Sequence, residues 1–169
     1  LVVAVLETAL LEDRVDGACL VFVPGWADVS AVLRAVSEHR VLSDTSKFLP
    51  FPLHGGVPTN EQRAAFRPTP GKRKIVVATN IAETSVTIPD VLCVIDTGLS
   101  KEKAYDPYSK MATLRPSFVP QSSVIQRRGR AGRVRPGKAY HLFSKQRYQA
   151  LAPTQLPEIQ RTPLEEICL

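Results

Sequence analysis

Cysteine is scarce in this chain, and its distribution excludes two classes of protein at once. Cys19, Cys93 and Cys168 are the only three in 169 residues; they are odd in number and far apart, so a disulfide scaffold is excluded. Neither a Cys-x-x-Cys pair nor two closely spaced histidines occurs, which removes the usual zinc spacings, and no metal site is expected. Cys19 and Cys93 fall in apolar, strand-like runs and read as free buried thiols of an intracellular, reducing compartment. No apolar run approaches the roughly 18 residues of a membrane span. The apolar stretch over 1–11 lacks the basic leader of a signal peptide, so no membrane partner is expected. Internal repeats and low-complexity tracts are absent. The first residue is not Met and a helix-like pattern is cut at Leu169, so the sequence reads as a piece of a larger protein.

What is present is ordinary in bulk and uneven in charge. A hydrophobic content of 44% and a charged content of 22% suit one globular domain with a sizeable core. The net charge of +6 is concentrated. From Arg127 to Lys138 there are six basic residues and no acid, and further clusters lie at Lys72-Arg73-Lys74 and over 101–115. Such clustering points to a polyanionic partner, although solubility alone accounts for a modest positive excess.

Periodicity predicts helix over 2–12, strand over 18–23, helix over 27–38, strand over 48–53, helix over 60–66, and strands over 73–78 and 91–96. A lysine-bearing hairpin, a helix through the arginine cluster, a strand over 138–143 and a helix over 145–151 follow. Strands alternating with helices imply an α/β fold with a parallel sheet and right-handed crossovers. Ligands then gather at the carboxyl ends of the strands, near which Gly25, Thr79 and Asp96 sit. Residues 153–157 read as a linker, and Thr162-Pro163-Leu164-Glu165 has the spacing of a capping box with Pro at the first helical position.

Two motifs carry chemistry. In Gln126-Arg127-Arg128-Gly129-Arg130-Ala131-Gly132-Arg133, helical spacing places Gln126, Arg130 and Arg133 at i, i+4 and i+7, on one face. Each glycine costs about 1 kcal/mol in a helix relative to alanine, which is explained if something must approach the backbone. Guanidinium forks beside an amide suit a phosphoryl group, whereas an arginine-rich octamer on its own equally describes a solvated helix face. The second motif runs over 74–88, a buried strand ending in a polar turn at Thr79. Asn80 and Glu83 have capping-box spacing, so a short helix is expected there with free N–H groups that could meet an anion, or with a cap and nothing more. A third segment, Gly132-Arg133-Val134-Arg135-Pro136-Gly137-Lys138-Ala139, satisfies G-x-x-x-x-G-K but is rejected as a phosphate-binding loop. Ala139 lacks the magnesium-binding hydroxyl, the order is helix to strand rather than the reverse, and Pro136 removes a donor.

Together, in order and spacing, these motifs resemble the DEAH-box (DEAH/RNA helicase A) RNA helicases of superfamily two, specifically the second of their two RecA-like motor domains. Leu20-Val21-Phe22-Val23-Pro24-Gly25 resembles motif IV, 78–88 motif V, Val94-Ile95-Asp96-Thr97-Gly98 the next strand motif, and 126–133 motif VI. Pro24-Gly25-Trp26 and Arg161-Thr162-Pro163-Leu164 resemble the RNA helicase A branch. The resemblance implies a RecA-like domain over 1–152 with a projecting β-hairpin, then a linker and the start of a winged-helix domain over 153–169.

It also implies roles. Gln126, Arg130 and Arg133 match residues that reach the γ-phosphate of ATP, the last as an arginine finger, and Gly129 lies among them. Phe66 matches an aromatic that stacks on the base, although a phenylalanine ending an amphipathic helix is commonly core. Glu83 and Thr87 match nucleotide-side positions. The usual acidic or amide position after Thr-Ile is here Pro89, with Asp90 next, so Asp90 is expected to replace the ribose contact. Gly25, His54, Gly55, Thr79 and Asn80 match contacts to the RNA backbone, with Lys101 and Lys103 on a hairpin beside the point where a duplex parts; those lysines equally suit a protected sheet edge. Neither a phosphate-binding loop nor an Asp-Glu-Ala-His sequence occurs in these residues. ATP with Mg2+ is therefore expected to be held mainly by a first RecA-like domain of the same chain, and the present residues alone should not hydrolyse it. A catalytically inactive homologue serving as an RNA-binding platform is the alternative.

Overall fold

The computed structural model describes residues 1–12, 15–84, 88–106, 111–133 and 135–155. Five strands form one parallel sheet in the order β2-β3-β1-β4-β7: β1 Ala18–Phe22, β2 Phe48–Leu53, β3 Arg73–Ala78, β4 Val91–Asp96 and β7 Lys138–His141. Helices α1 Val2–Glu7, α2 Trp26–Ser37, α3 Thr59–Ala64, α4 Ile81–Thr84, α5 Gln121–Arg128 and α6 Lys145–Gln149 connect or flank them. The expected α/β fold with a parallel sheet is therefore the observed one, and the expected hairpin is present as a separate antiparallel pair, β5 Leu99–Asp106 with β6 Met111–Phe118. Residues 156–169, where the next domain was expected to begin, lie outside the described residues.

The sheet is parallel because both its faces are buried. Every residue of β1 and β4 is buried. Alternation then divides the core: Cys19, Val21, Ile75, Val77, Cys93 and Ile95 pack toward Leu6, Leu10, Val29 and Val36 on one side. Leu20, Phe22, Val76, Ala78 and Val94 pack toward Ala65, Ala82 and Ala131 on the other. Each fully buried Val, Leu or Phe contributes on the order of 1.5–3 kcal/mol. Pro50 and Pro52 are tolerated because β2 is an edge strand, paired on one side only.

Three local departures have physical causes. The first helix changes after Glu7 into a π-helical turn, Thr8–Glu12, which places Ala9 and Leu10 in the core. The helix through the arginine cluster ends at Arg128 and tightens into a 3-10 turn, Gly129–Gly132. The turn after β4 uses Gly98 at φ 73°, where a side chain would also collide with the Phe143 ring at 2.6 Å, so only glycine leads the chain from the sheet into the hairpin.

Candidate functional site

At the carboxyl edge of the sheet, three strand ends bring together most of the residues expected to meet RNA. Val23 donates its N–H to the Ala78 carbonyl at 2.9 Å, and Thr79 donates to the Leu53 carbonyl at 3.2 Å. These bonds set Gly25, His54, Gly55, Thr79 and Asn80 side by side at the ends of β1, β2 and β3. Thr79 is buried, whereas Asn80 and Gly55 are exposed. Lys101 joins them from the hairpin: its side chain lies against Gly25, with Cε 2.7 Å from where a β-carbon would stand. Lys103 belongs to β5, but its side chain lies outside the described residues.

Below this edge sits a side chain that sequence reasoning missed. Arg127 is fully buried, with its Nε 3.0 Å from Glu83 Oε2 and its Nη1 2.9 Å from Asp96 Oδ1. It also donates to the Leu99 carbonyl at 3.2 Å and lies 4.9 Å over the Phe22 ring. The inward spacing Val124, Arg127, Ala131 was the available signal, since residues at i, i+3 and i+7 share a face. Burial pushes the Asp96 carboxyl up, but the nearby His141 ring, the Arg127 charge and the Gly98 N–H prevail and leave it below its ordinary value. The His141 Nδ1 stands 3.7 Å from Asp96 Oδ2, an electrostatic contact rather than a formed hydrogen bond.

Arg127 corrects the expectation for Glu83. Instead of closing a capping box with Asn80, the Glu83 carboxylate turns inward to the guanidinium, while its backbone N–H meets the Asn80 carbonyl at 2.9 Å. A buried charge draws the carboxylate more strongly than a local N–H does.

Asp90 and Phe66, two of the residues expected on the nucleotide side, lie toward the opposite, amino edge of the sheet. Asp90 immediately precedes β4 and Phe66 follows α3. The buried Lys74 ties them together: its Nζ is 2.8 Å from Asp90 Oδ1 and donates to the carbonyls of Ala65 at 3.0 Å and Arg67 at 3.1 Å, which flank Phe66. Asp90 is thus paired with Lys74 through Oδ1, while its side chain stays 41% exposed. Phe66 is half-buried, resting on the core with part of its ring open. Lys74, a cation buried in β3 beside an apolar run, was the second residue missed. Thr87 lies outside the described residues.

The continuous helix expected to carry Gln126, Arg130 and Arg133 on one face ends at Arg128. The 3-10 turn beginning at Gly129 changes the angular step, leaving Gln126 and Arg133 exposed and Arg130 only 9% exposed. Burial first, then the like charge of Arg133, work against the charged form of Arg130, while Glu83 favours it. Arg130 thus feels the charges of both Arg133 and Glu83. A β-carbon at Gly129 or Gly132 would meet nothing within 4 Å, so the backbone here is open to close approach. At Gly137, just before β7, it would stand 2.0 Å from the Ala131 carbonyl oxygen, so the loop leaving the arginines can close only on glycine. That loop runs into β7, in keeping with its rejection as a phosphate-binding loop.

With this geometry in place, comparisons with known proteins agree with one another. The sequence profile described as the helicase conserved C-terminal domain matches residues 2–135. The DExH-box ATP-dependent RNA helicase DExH1 of Arabidopsis thaliana is 54% identical over 154 residues, covering 90% of this chain and 16% of the relative. The ATP-dependent DNA/RNA helicase DHX36 of Homo sapiens is 49% identical over 170 residues, covering 100% of this chain and 17% of the relative. This chain thus spans about a sixth of the length of these two relatives. The crystal structure of the Escherichia coli DExH-box NTPase HrpB superposes with a TM-score of 0.86 at 36% identity, over 98% of this chain and 20% of that one.

Proposed function

This chain belongs to the helicase conserved C-terminal domain family, in its DEAH/RNA helicase A branch, and we propose that it is the second motor domain of an ATP-dependent RNA helicase. In this reading Arg133 is the arginine finger, Arg130 and Gln126 assist it on the phosphates, and Gly129 leaves the backbone open beside them. Phe66 stacks on the base, with Asp90 near the ribose as part of the Lys74 cluster. A first RecA-like domain of the same protein holds most of the ATP and its Mg2+. At the other edge Gly25, His54, Gly55, Thr79, Asn80 and Lys101 hold the RNA backbone, which positions a strand without reading its sequence.

The observation that carries this reading is the position of Glu83, held by Arg127 and close enough to Arg130 to influence its charge. Glu83 sits in α4, directly after the Thr79-Asn80 turn of the RNA edge. A shift of that turn is therefore felt by the arginines of the nucleotide edge through one carboxylate. Cleft closure around ATP and reopening after hydrolysis would alternate the grip on the RNA backbone.

The test uses protein carrying both motor domains. Arg133→Ala should abolish hydrolysis, in keeping with the roughly 10³ to 10⁵ in rate of an arginine finger, while RNA affinity stays largely intact. Near-normal turnover at saturating ATP would remove the finger role. A wild-type protein that binds RNA yet hydrolyses no ATP would be the platform instead of the motor.

A further inference from the structure

The only tryptophan of the chain, Trp26, is 47% exposed at the first residue of α2. A tryptophan in that position gains little from burial. Its ring centroid lies 5.5 Å from that of His54, with the planes tilted by 44°. The His54 ring and its backbone are held in place. His54 Nδ1 accepts the Gly56 N–H at 3.0 Å, and the His54 carbonyl accepts the Val57 N–H at 2.9 Å and the Gln62 amide at 3.0 Å. The Trp26 backbone is set by the start of α2, where the Gly25 carbonyl accepts the N–H groups of Asp28 and Val29, and its indole rests on the His54 ring. The surroundings are polar or bare: Gly55 on the loop after His54, and Lys101, whose Nζ lies 3.0 Å from where a Gly25 β-carbon would stand.

We propose that Trp26, seated on His54, is a stacking platform for one unpaired nucleobase of the RNA strand that crosses this edge. The proposal rests on the reading of the carboxyl edge as an RNA track. A held indole face offers a base its π-surface without reading its identity, and the adjacent Lys101 ammonium offers the same nucleotide a phosphate contact. An exposed indole on an imidazole, with a lysine beside it, suits a flat, charged ligand better than it suits an apolar protein surface. His54 is the positioning residue, acting through the indole.

The experiment uses protein carrying both motor domains and a labelled oligouridine of about 12 nucleotides. Measured by anisotropy, Trp26→Ala should weaken binding roughly 5- to 100-fold, and Trp26→Phe should recover most of that loss. A single abasic nucleotide walked along the oligomer should weaken wild-type binding at one position, and that position should make no difference to Trp26→Ala. The tryptophan emission present in wild type and missing in Trp26→Phe should be quenched by the intact oligomer and not by that abasic one. Binding by Trp26→Ala within about twofold of wild type, or a wild type indifferent to every abasic position, overturns the platform while leaving the RNA track standing. A wild type that binds no RNA removes the track and the platform together. Should Trp26→Ala fail to fold by circular dichroism, Trp26→Phe and the abasic series on wild type decide the question.

Discussion

Arg127→Met is the perturbation with the clearest expected size. Methionine has a similar reach and no charge, so the change leaves Asp96, which is 0% exposed, without its guanidinium, and Glu83, at 12%, without its principal partner. The Leu99 carbonyl loses a donor and the Phe22 ring loses its cation. Breaking a buried pair by removing one partner costs about 3–5 kcal/mol. For a domain of this size each kcal/mol moves Tm by about 2–4 °C, so the melting temperature at pH 7 should fall by roughly 6–20 °C. The pH dependence adds a second check. The Asp96 carboxyl lies below its ordinary value in the folded protein, so its contribution is complete above the unfolded value of about 3.9 and is lost as pH falls through the folded one. Without Arg127 the burial of Asp96 is opposed only by the His141 ring and the Gly98 N–H, so its carboxyl moves up relative to wild type and the folded mutant takes up a proton at a higher pH than wild type does. The deficit relative to wild type should therefore shrink from pH 7 to pH 5, and Asp96→Asn in the Arg127→Met background should recover part of it. Thermal melts followed by circular dichroism at pH 5, 6 and 7 measure both effects. A Tm within about 2 °C of wild type at pH 7, or a deficit that does not change with pH, would refute the role assigned to this cluster.

Two further expectations concern the edges. In protein carrying both motor domains, Phe66→Ala should raise KM for ATP while costing less than the roughly 3–5 kcal/mol of a fully buried ring, because the side chain is half-buried; a large Tm drop with unchanged KM would make it a core residue only. Replacing residues 106–111 of the hairpin by a short glycine-containing turn should lower the duplex unwinding rate much more than RNA-stimulated ATPase, since the 3-10 turn and α4 are untouched. Proportional loss of both, or no loss of unwinding, would make the hairpin a charged sheet edge.

The strands were legible where a short apolar run had sharp polar ends. β2, β3 and β4 begin and end where periodicity places them, because leaving the sheet at Thr79 or Thr97 coincides with the change from apolar to polar residues. The end of α5 was not legible in the same way. An arginine-rich run satisfies helical spacing through Arg133, and only the glycines at 129 and 132 hinted that the last turn could tighten. Glu83 shows a deeper ambiguity. Its distance from Asn80 suits a capping box, and nothing in the linear order reports a buried guanidinium 44 positions later.

The order of motifs, the α/β alternation, the free cysteines inside strands and the concentration of basic residues are properties of the chain as a string. They follow from local preference and from the period of side-chain burial, and sequence alone determined them. Which edge each motif occupies is a property of the folded sheet. Residues that follow a strand come to one edge and residues that precede a strand come to the other, so Thr79 and Asp90 separate although they lie close together in the sequence. Arg127 and Lys74, read along the chain, are two basic residues among many. They become the centres of the two clusters only because the sheet buries them beside Asp96, Glu83 and Asp90, where a charge without a partner would cost more than the fold can spare.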